Sequence, residues 1–451
     1  MKNSSHDGQS RSTIVMRWMP TVSALVLFGL FTWLYLRSFD TYMALMQVWG
    51  VQAWTHPFID GEFIYVMKDA WLRGIDIYKA VPDYTVPNSF MNYPPLWPRL
   101  PFLPSDKAAS IPIGLATDLG LIVSLAMLPA AKRWSDAVLL SLAGCSTMVV
   151  FALERNNVDV WIYLAMFLSI PSLRKSLLFR IMSYCVFTLV ALLKYFPIVC
   201  FWFFLREKPW RFAAISAMAV LTIVAVQAEL WPEVLRGVAG IPDGSPWLGW
   251  VGIVNIPRAL ARISDYVFVT GPSGSKLVEV LLRLTLTGIV LAVAFRTASR
   301  PALREAVGRL PASAETWLVA GCLLMAGCYL AGQSIGYRGI YLLFTLSGLT
   351  ALERLADKAT ADRLRRVTVT IVVLMWMEAI RGWVEALAIS LGASPAGAFL
   401  VDTVIWAIRE LLWLDVAQVM IALILIDGLQ TTMGQALLRV LHRPRGLLAV
   451  R

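Results

Sequence analysis

The chain has 451 residues, of which 58% are hydrophobic and 15% charged, and its mean hydropathy is +0.67. It carries more apolar surface than a soluble core can bury, so composition excludes an ordinary water-soluble domain and leaves lipid as the solvent for the remainder. The net charge of +11 is not a nucleic-acid footprint, because the basic residues recur in short connections between apolar runs, as they do in cytoplasmic loops.

Taken in chain order, the apolar runs predict an all-α polytopic membrane protein with about twelve spans, by the usual length of about 20 residues. They lie near 18–36, 111–131, 136–153, 157–171, 177–193, 195–205, 212–228, 277–296, 315–333, 339–353, 367–390 and 403–427. An even count puts both termini on one side. Residues 1–17 are then a cytoplasmic tail, 18–427 the membrane domain and 428–451 a second cytoplasmic tail. The basic clusters agree with this layout: Lys132 with Arg133, Arg174 with Lys175, Arg206 with Lys208 and Arg211, Arg300 with Arg304, Arg363 with Arg365 and Arg366, and Arg439, Arg443, Arg445 and Arg451. All fall on the cytoplasmic side. The first run follows a basic start, as a signal peptide would, but Tyr35-Leu36-Arg37-Ser38 is no small-residue cleavage site, so it reads as a retained anchor. Cys145, Cys185, Cys200, Cys322 and Cys328 sit inside apolar runs without disulfide or metal-ligand spacing and read as small hydrophobes. Lys194 and Pro197 interrupt the stretch 177–205, so 195–205 is expected as a half-helix beside protein or a water-filled cavity.

Two loops on the outer face are long, 37–110 and 229–276. The first is dense in aromatics, among them Trp49, Trp54, Phe63, Tyr65, Tyr78, Tyr93 and Trp97, which suits either interfacial helices or a sugar-stacking surface. Residues 61–73 are expected as an amphipathic helix on the membrane, with Lys68, Asp69 and Arg73 on its wet side. Within the spans, Glu279 with Arg283, and Arg381 with Glu378 and Glu385, have the spacing of local pairs. Asp118 has no local partner and either lines a cavity or bonds a neighbouring helix. The outer face also collects Asp60, Glu62, Glu154, Arg155, Asn156, Asn157, Asp159, Lys194, Tyr337 and Arg338. Carboxylates able to take a proton, beside cations able to hold phosphate, suit a transferase. Polar caps of tight turns and snorkelling arginines produce the same pattern without chemistry.

Asp60-Gly61-Glu62-Phe63-Ile64-Tyr65, followed by Ala70, Gly74, Tyr78 and Tyr93-Pro94-Pro95-Leu96, resembles the opening of glycosyltransferase family 87. These are polyprenyl-phosphate-mannose-dependent mannosyltransferases of the GT-C membrane superfamily. The similarity continues in order through Arg155-Asn156-Asn157-Val158-Asp159, Leu193-Lys194-Tyr195-Phe196-Pro197, Asn255-Ile256-Pro257 and Gly336-Tyr337-Arg338. It covers most of residues 18–353, and the C-terminal hundred residues match only in being hydrophobic. The resemblance implies transfer of a sugar, mannose in the family, from a polyprenyl-phosphate donor to a glycolipid or glycan acceptor, with inversion. It implies a bacterial cytoplasmic membrane with the active face outside. It further implies that Asp60 is the base, and that Lys194, Arg338, Arg155, Asn156, Asn157, Asp159, Tyr93 and Tyr337 bind donor phosphate and substrate. Two departures stand out. Gly61 and Glu62 follow the Asp where the family has an aromatic, creating an Asp-x-Glu pair that a divalent metal ion could use and leaving Glu62 as an alternative base. The turn at Asn156-Asn157 carries a second Asn where a Gly is usual.

A transporter or flippase of lipid-linked sugars would also use charges and broken helices, but it predicts inverted repeats and a midplane site, and no repeat is visible. A noncatalytic subunit of polysaccharide assembly is the third reading. The bilayer, a lipid donor and a saccharide acceptor are thus the expected partners, and nucleic acid is not. Reporter fusions at Lys175, Arg304 and Arg365 are expected to signal cytoplasm, and fusions near Asp83 and Gly244 the outer side. A cytoplasmic signal at Gly244 would overturn the layout.

Overall fold

The computed structural model describes residues 4–441 apart from 80, 82–83, 85, 87–88, 242–243, 248 and 269–270. The fusion point Asp83 and the basic residues Arg443, Arg445 and Arg451 lie outside the described residues. The fold is all-α, 79% helical, and its described strands are two short ones that pair Trp250 with Ile335 and Val251 with Ser334.

The N-terminal half begins with α1 (Ser4–Arg37), which extends through most of the expected tail. It continues with α2 (Phe39–Val48), α3 (Ile59–Leu72), α4 (Ser110–Ser124), α5 (Trp134–Gly144), α6 (Thr147–Arg155), α7 (Val158–Ser169) and α8 (Leu177–Leu193). A 3-10 helix, Phe196–Arg206, follows the break at Lys194 and replaces the expected half-helix. The second half runs α9 (Pro209–Glu229), α10 (Trp231–Ala239), α11 (Asn255–Phe268), α12 (Gly271–Ala298), α13 (Pro301–Gly308), α14 (Ala312–Ala331), α15 (Leu342–Glu353), α16 (Lys358–Met375), α17 (Met377–Ser390), α18 (Pro395–Gln430) and α19 (Thr432–Leu441). The expected outer loop 229–276 is therefore largely helical, the loop 37–110 carries α2, α3 and two short 3-10 turns, and α18 and α19 carry helix into the expected C-terminal tail.

Six of these segments are long and apolar enough to cross a bilayer: Ser12–Arg37, Lys107–Met127, Pro209–Glu229, Gly274–Ala298, Ala312–Ala331 and Pro395–Gln430. The count reaches eight if α5 with α6, bent by 40°, and α16 with α17, bent by 64°, each form one span. The remaining expected spans are shorter helices, α7, α8, α15 and the 3-10 run. Exposure separates two kinds of span. Only 6% of the apolar window of α9 and 11% of that of α12 is buried in protein, against 78% for α14. Apolar helix surface left uncovered by the rest of the chain is suited to contact with lipid.

The interior is built from α14, α15 and α18, where Trp317, Tyr329, Phe344 and Trp413 are buried. Helix ends on the expected cytoplasmic side are tied by ion pairs. Arg133 meets Glu353 at 2.7 Å, and Arg354 and Arg365 meet Asp136 at 3.0 and 3.1 Å. Arg206 meets Asp427 at 2.6 Å. Two locally spaced pairs are made differently from expectation. Glu279 turns to Arg258 at 3.3 Å while Arg283 donates to the Leu330 and Ala331 carbonyls, because α11 and α14 bring partners closer than the next helical turn. Arg381 keeps Glu378 at 3.0 Å but takes Asp402 at 2.9 Å instead of Glu385.

The central crossing depends on close backbone approach. A Cβ at Gly348 of α15 would run into Leu318 of α14 and lie 3.0 Å from the Ala314 carbonyl, whereas one at Gly288 of α12 would meet nothing. Gly348→Val is expected to destabilise the protein by about 1–3 kcal/mol through overpacking, read as a lower unfolding temperature in detergent. Gly288→Ala is expected to leave it within error.

Candidate functional site

The site starts with an unusual turn. Phe58, just before α3, adopts the left-handed conformation (φ 68°) that side chains other than glycine rarely take. Its N–H donates to the Glu154 carbonyl at 2.7 Å, which ties the start of α3 to the end of α6. Gly61 lets the two come together: a Cβ there would lie 3.0 Å from the Asn156 side-chain oxygen. Asn156 itself is left-handed (φ 43°), so the Asn at this turn takes the backbone shape that a glycine would supply, as Asn tolerates better than most residues. Its side chain reaches inward, donating to Asp118 Oδ1 at 3.1 Å and Thr117 Oγ1 at 2.6 Å, and accepts from Trp161 Nε1 at 3.2 Å. Asp118 thus bonds a neighbouring turn, which settles the choice left open by the sequence.

Asp60 stands on the first turn of α3 with both oxygens engaged. Oδ1 accepts from Arg155 Nη2 at 2.7 Å and Nε at 3.1 Å, and Oδ2 from Asn157 Nδ2 at 2.7 Å. Asn157 also donates to the Tyr93 hydroxyl at 2.9 Å and accepts from Lys194 Nζ at 3.3 Å. Lys194 completes its contacts with Asp159 Oδ2 at 2.5 Å and lies over the rings of Tyr93 and Tyr337, 5.2 and 5.9 Å from their centroids. Asp159, fully buried, also takes the Tyr341 hydroxyl at 3.1 Å and faces Arg338 Nε at 3.5 Å. Arg338 donates through Nη1 to Ser334 Oγ at 2.6 Å, while its Nε, enclosed, has no hydrogen-bond partner. Enclosure, together with the Asp60 and Asp159 carboxylates, pushes the Tyr93 hydroxyl above the usual phenol range, so it stays a neutral donor and acceptor.

Asp60, Tyr93, Arg155, Asn157, Asp159, Lys194, Tyr337 and Arg338 therefore form one connected cluster, with Asn156 supporting it from behind. Glu62 is the exception. On a helix, residues two apart point about 200° away from each other, and Glu62 turns to His56 Nε2 at 2.8 Å. The Asp60 and Glu62 carboxylates do not converge on a metal. Among the described residues no group of three or more His, Cys, Asp or Glu is placed to hold one. The expectation for α3 as a surface helix is also corrected. Most of it is buried, and Lys68 runs inward to donate to the Leu100 and Leu103 carbonyls at 2.6 and 2.5 Å, leaving the Asp69–Arg73 pair at the surface.

Two cavities flank the cluster. One of about 520 Å³ has Arg155, Tyr337, Trp54, Trp250 and Gln52 in its wall, with Glu378, Arg381 and Arg409 from α17 and α18 opposite. The other, about 720 Å³, is mainly apolar and carries Glu62, His56 and Glu154. The sequence reading missed His56, Tyr341 and the α17–α18 wall. Tyr341 stands three residues after Arg338, the spacing that brings side chains into line in a 3-10 turn. His56, one of three histidines, stands out only by its rarity.

Compared with known proteins, the chain matches no family model, no curated protein and no solved structure. The cluster's own energetics are open to test. Lys194→Met strands the buried Asp159 beside a weakened partner set and is expected to cost about 3–5 kcal/mol. The double variant Asp159→Asn with Lys194→Met removes both charges but leaves Arg338 without its carboxylate, so it is expected to recover only part of that loss, measured by thermal unfolding of the purified protein. Equal losses in the single and double variants would show that the pair is not the source.

Proposed function

We propose that the protein is a membrane glycosyltransferase of the GT-C type, with a polytopic fold of about twelve crossings. It takes a sugar, mannose by the family resemblance, from a polyprenyl-phosphate carrier and adds it to a glycolipid or glycan acceptor. In this reading it sits in a bacterial cytoplasmic membrane with its site on the outer side. The observation that carries the proposal is the continuous chain of contacts from Asp60 through Asn157 to Lys194, Asp159 and Arg338, assembled from segments far apart in sequence. A carboxylate beside basic groups has the parts that transfer from a phosphate ester requires.

The reaction runs by direct displacement. Asp60 accepts the proton of the acceptor hydroxyl, whose oxygen bonds to the anomeric carbon. The bond from that carbon to the phosphate oxygen breaks, and the electron pair leaves with the lipid phosphate. Oδ1 of Asp60 accepts twice from Arg155, whereas Oδ2 accepts once, from Asn157, and keeps a further lone pair for the incoming proton. Arg155 and Asn157 hold the carboxylate in place. Lys194 and Arg338 meet the negative charge that grows on the leaving oxygen. The smaller cavity, with Trp54, Trp250 and Gln52, suits a polyhydroxyl acceptor next to Arg155.

Asp60→Asn keeps size and most hydrogen bonding while removing the base. With polyprenyl-phosphate sugar and membrane acceptor, transfer is expected to fall by roughly a hundredfold or more, with donor binding retained. Asp69→Asn on the same helix, a surface pair with Arg73, is expected to behave as wild type. Near-normal transfer by Asp60→Asn would remove the base assignment. Arg338→Gln is expected to raise the KM for the donor and lower kcat together.

A further inference from the structure

We infer that the larger cavity is a binding site for an amphiphile with an alkyl chain and an uncharged, hydroxylated head, separate from the phosphate-holding cluster. Its volume, about 720 Å³, lies within the range of small-molecule sites. It opens between the outer ends of α1 and α4, two of the segments long enough to cross a bilayer, with Leu27, Phe31 and Leu36 on one side and Ile111 and Leu115 on the other. An alkyl chain can lie between these walls without facing water.

The head group follows from the polar end. Glu154 is buried, and its Oε1 accepts from the Trp54 N–H at 3.2 Å while Oε2 has no hydrogen-bond partner. A buried carboxyl oxygen left unmatched costs about 1–3 kcal/mol, and a bound donor would recover it. Beside it in the same cavity is the His56–Glu62 pair, able to accept and donate further hydrogen bonds. Two acidic side chains offer a phosphate no counter-charge. The one lysine of the wall, Lys107, is exposed and adjoins Asp106. A hydroxyl fits better than an ammonium for two reasons: it loses less on leaving water, and it can donate to Glu154 as a carboxylate or accept from it as an acid. No buried lysine or arginine lines this cavity, whereas Lys194 and Arg338 stand in the other cluster, so a phosphate-bearing lipid and a hydroxylated amphiphile sort to different places. Successive residues of α6 divide them, Glu154 facing this cavity and Arg155 the Asp60 cluster.

The test is calorimetric titration of the full chain, held in amphipol, with octyl glucoside, octylamine and octyl phosphate, each below its micelle threshold. Octyl glucoside is expected to saturate one site about tenfold more tightly than the other two, a preference of about 1.4 kcal/mol. Glu154→Leu is expected to erase the preference for the glucoside head. Leu115→Trp, which fills the chain-binding wall and leaves Glu154 in place, is expected to abolish binding. Octylamine or octyl phosphate binding as tightly as the glucoside, no saturable binding, or binding unchanged in both variants overturns the inference. The measurement needs no turnover, and repeating it on Asp60→Asn separates its failure from that of the transferase reading.

Discussion

Asp159 is a fully buried carboxylate, and the arrangement of the elements around the candidate site follows from satisfying it. In a low-dielectric interior an isolated charge is untenable, so such a group must recruit cations and donors from wherever the chain can deliver them. Lys194 comes from the break after α8, and Tyr341 and Arg338 from the 3-10 turn before α15, while Asn157, in the turn that opens α7, accepts from the Asp159 backbone N–H and from Lys194. Each element is thereby fixed in rotation as well as position, because a helix turned by one residue would withdraw its contact. Asp60 is joined to this lattice through Asn157, so the geometry around the candidate base is inherited from a charge several side chains away.

The ends of the helices on the expected cytoplasmic side use a different arrangement. There Asp136, Glu353, Glu315 and Asp427 are each met by arginine rather than lysine. Arginine's planar fork engages a carboxylate at two points and remains charged in any surroundings, which suits a purely connecting role. Within the candidate-site cluster the cation touching both Asn157 and Asp159 is a lysine, a compact charge with three rotatable donors. Two of those donors are used by Asn157 and Asp159. The candidate site thus adds a lysine to its arginines, Arg155 and Arg338, where the carboxylates at the other end are met by arginine.

Much of this was legible from composition and spacing. The apolar runs mark the helices, and Arg155, Asn157, Asp159, Lys194 and Arg338 stand out as polar residues where lipid would select against them. Their mutual contact could not be read, since it depends on packing between α3, α6, α7 and the turn at Arg338. The divergence of Asp60 and Glu62 would have followed from helical geometry had α3 been taken to begin at Ile59 rather than at residue 61. Lys68 was misplaced because its partners are carbonyls of Leu100 and Leu103, which carry no signal in side-chain pattern. Glu279 and Arg283 show the same limit in reverse: a spacing that permits a local pair does not compel one when tertiary partners are nearer. The wall built by Glu378, Arg381 and Arg409 lies in the region whose resemblance is hydrophobicity alone.

The 3-10 helix Phe196–Arg206 changes what an eleven-residue segment can reach. At about 2.0 Å of rise per residue it extends roughly 22 Å, where an α-helix of the same length would cover about 16 Å. Three residues per turn also align every third side chain in one straight file. Pro197, Cys200 and Phe203 occupy that file and are buried, and Arg206 closes it, where its guanidinium finds Asp427 of α18. A short, tightly wound segment thus acts as a strut from the Lys194 break to the far ends of the bundle, and conversion to α-helical winding would leave it several ångströms short and turn its apolar file away from the interior.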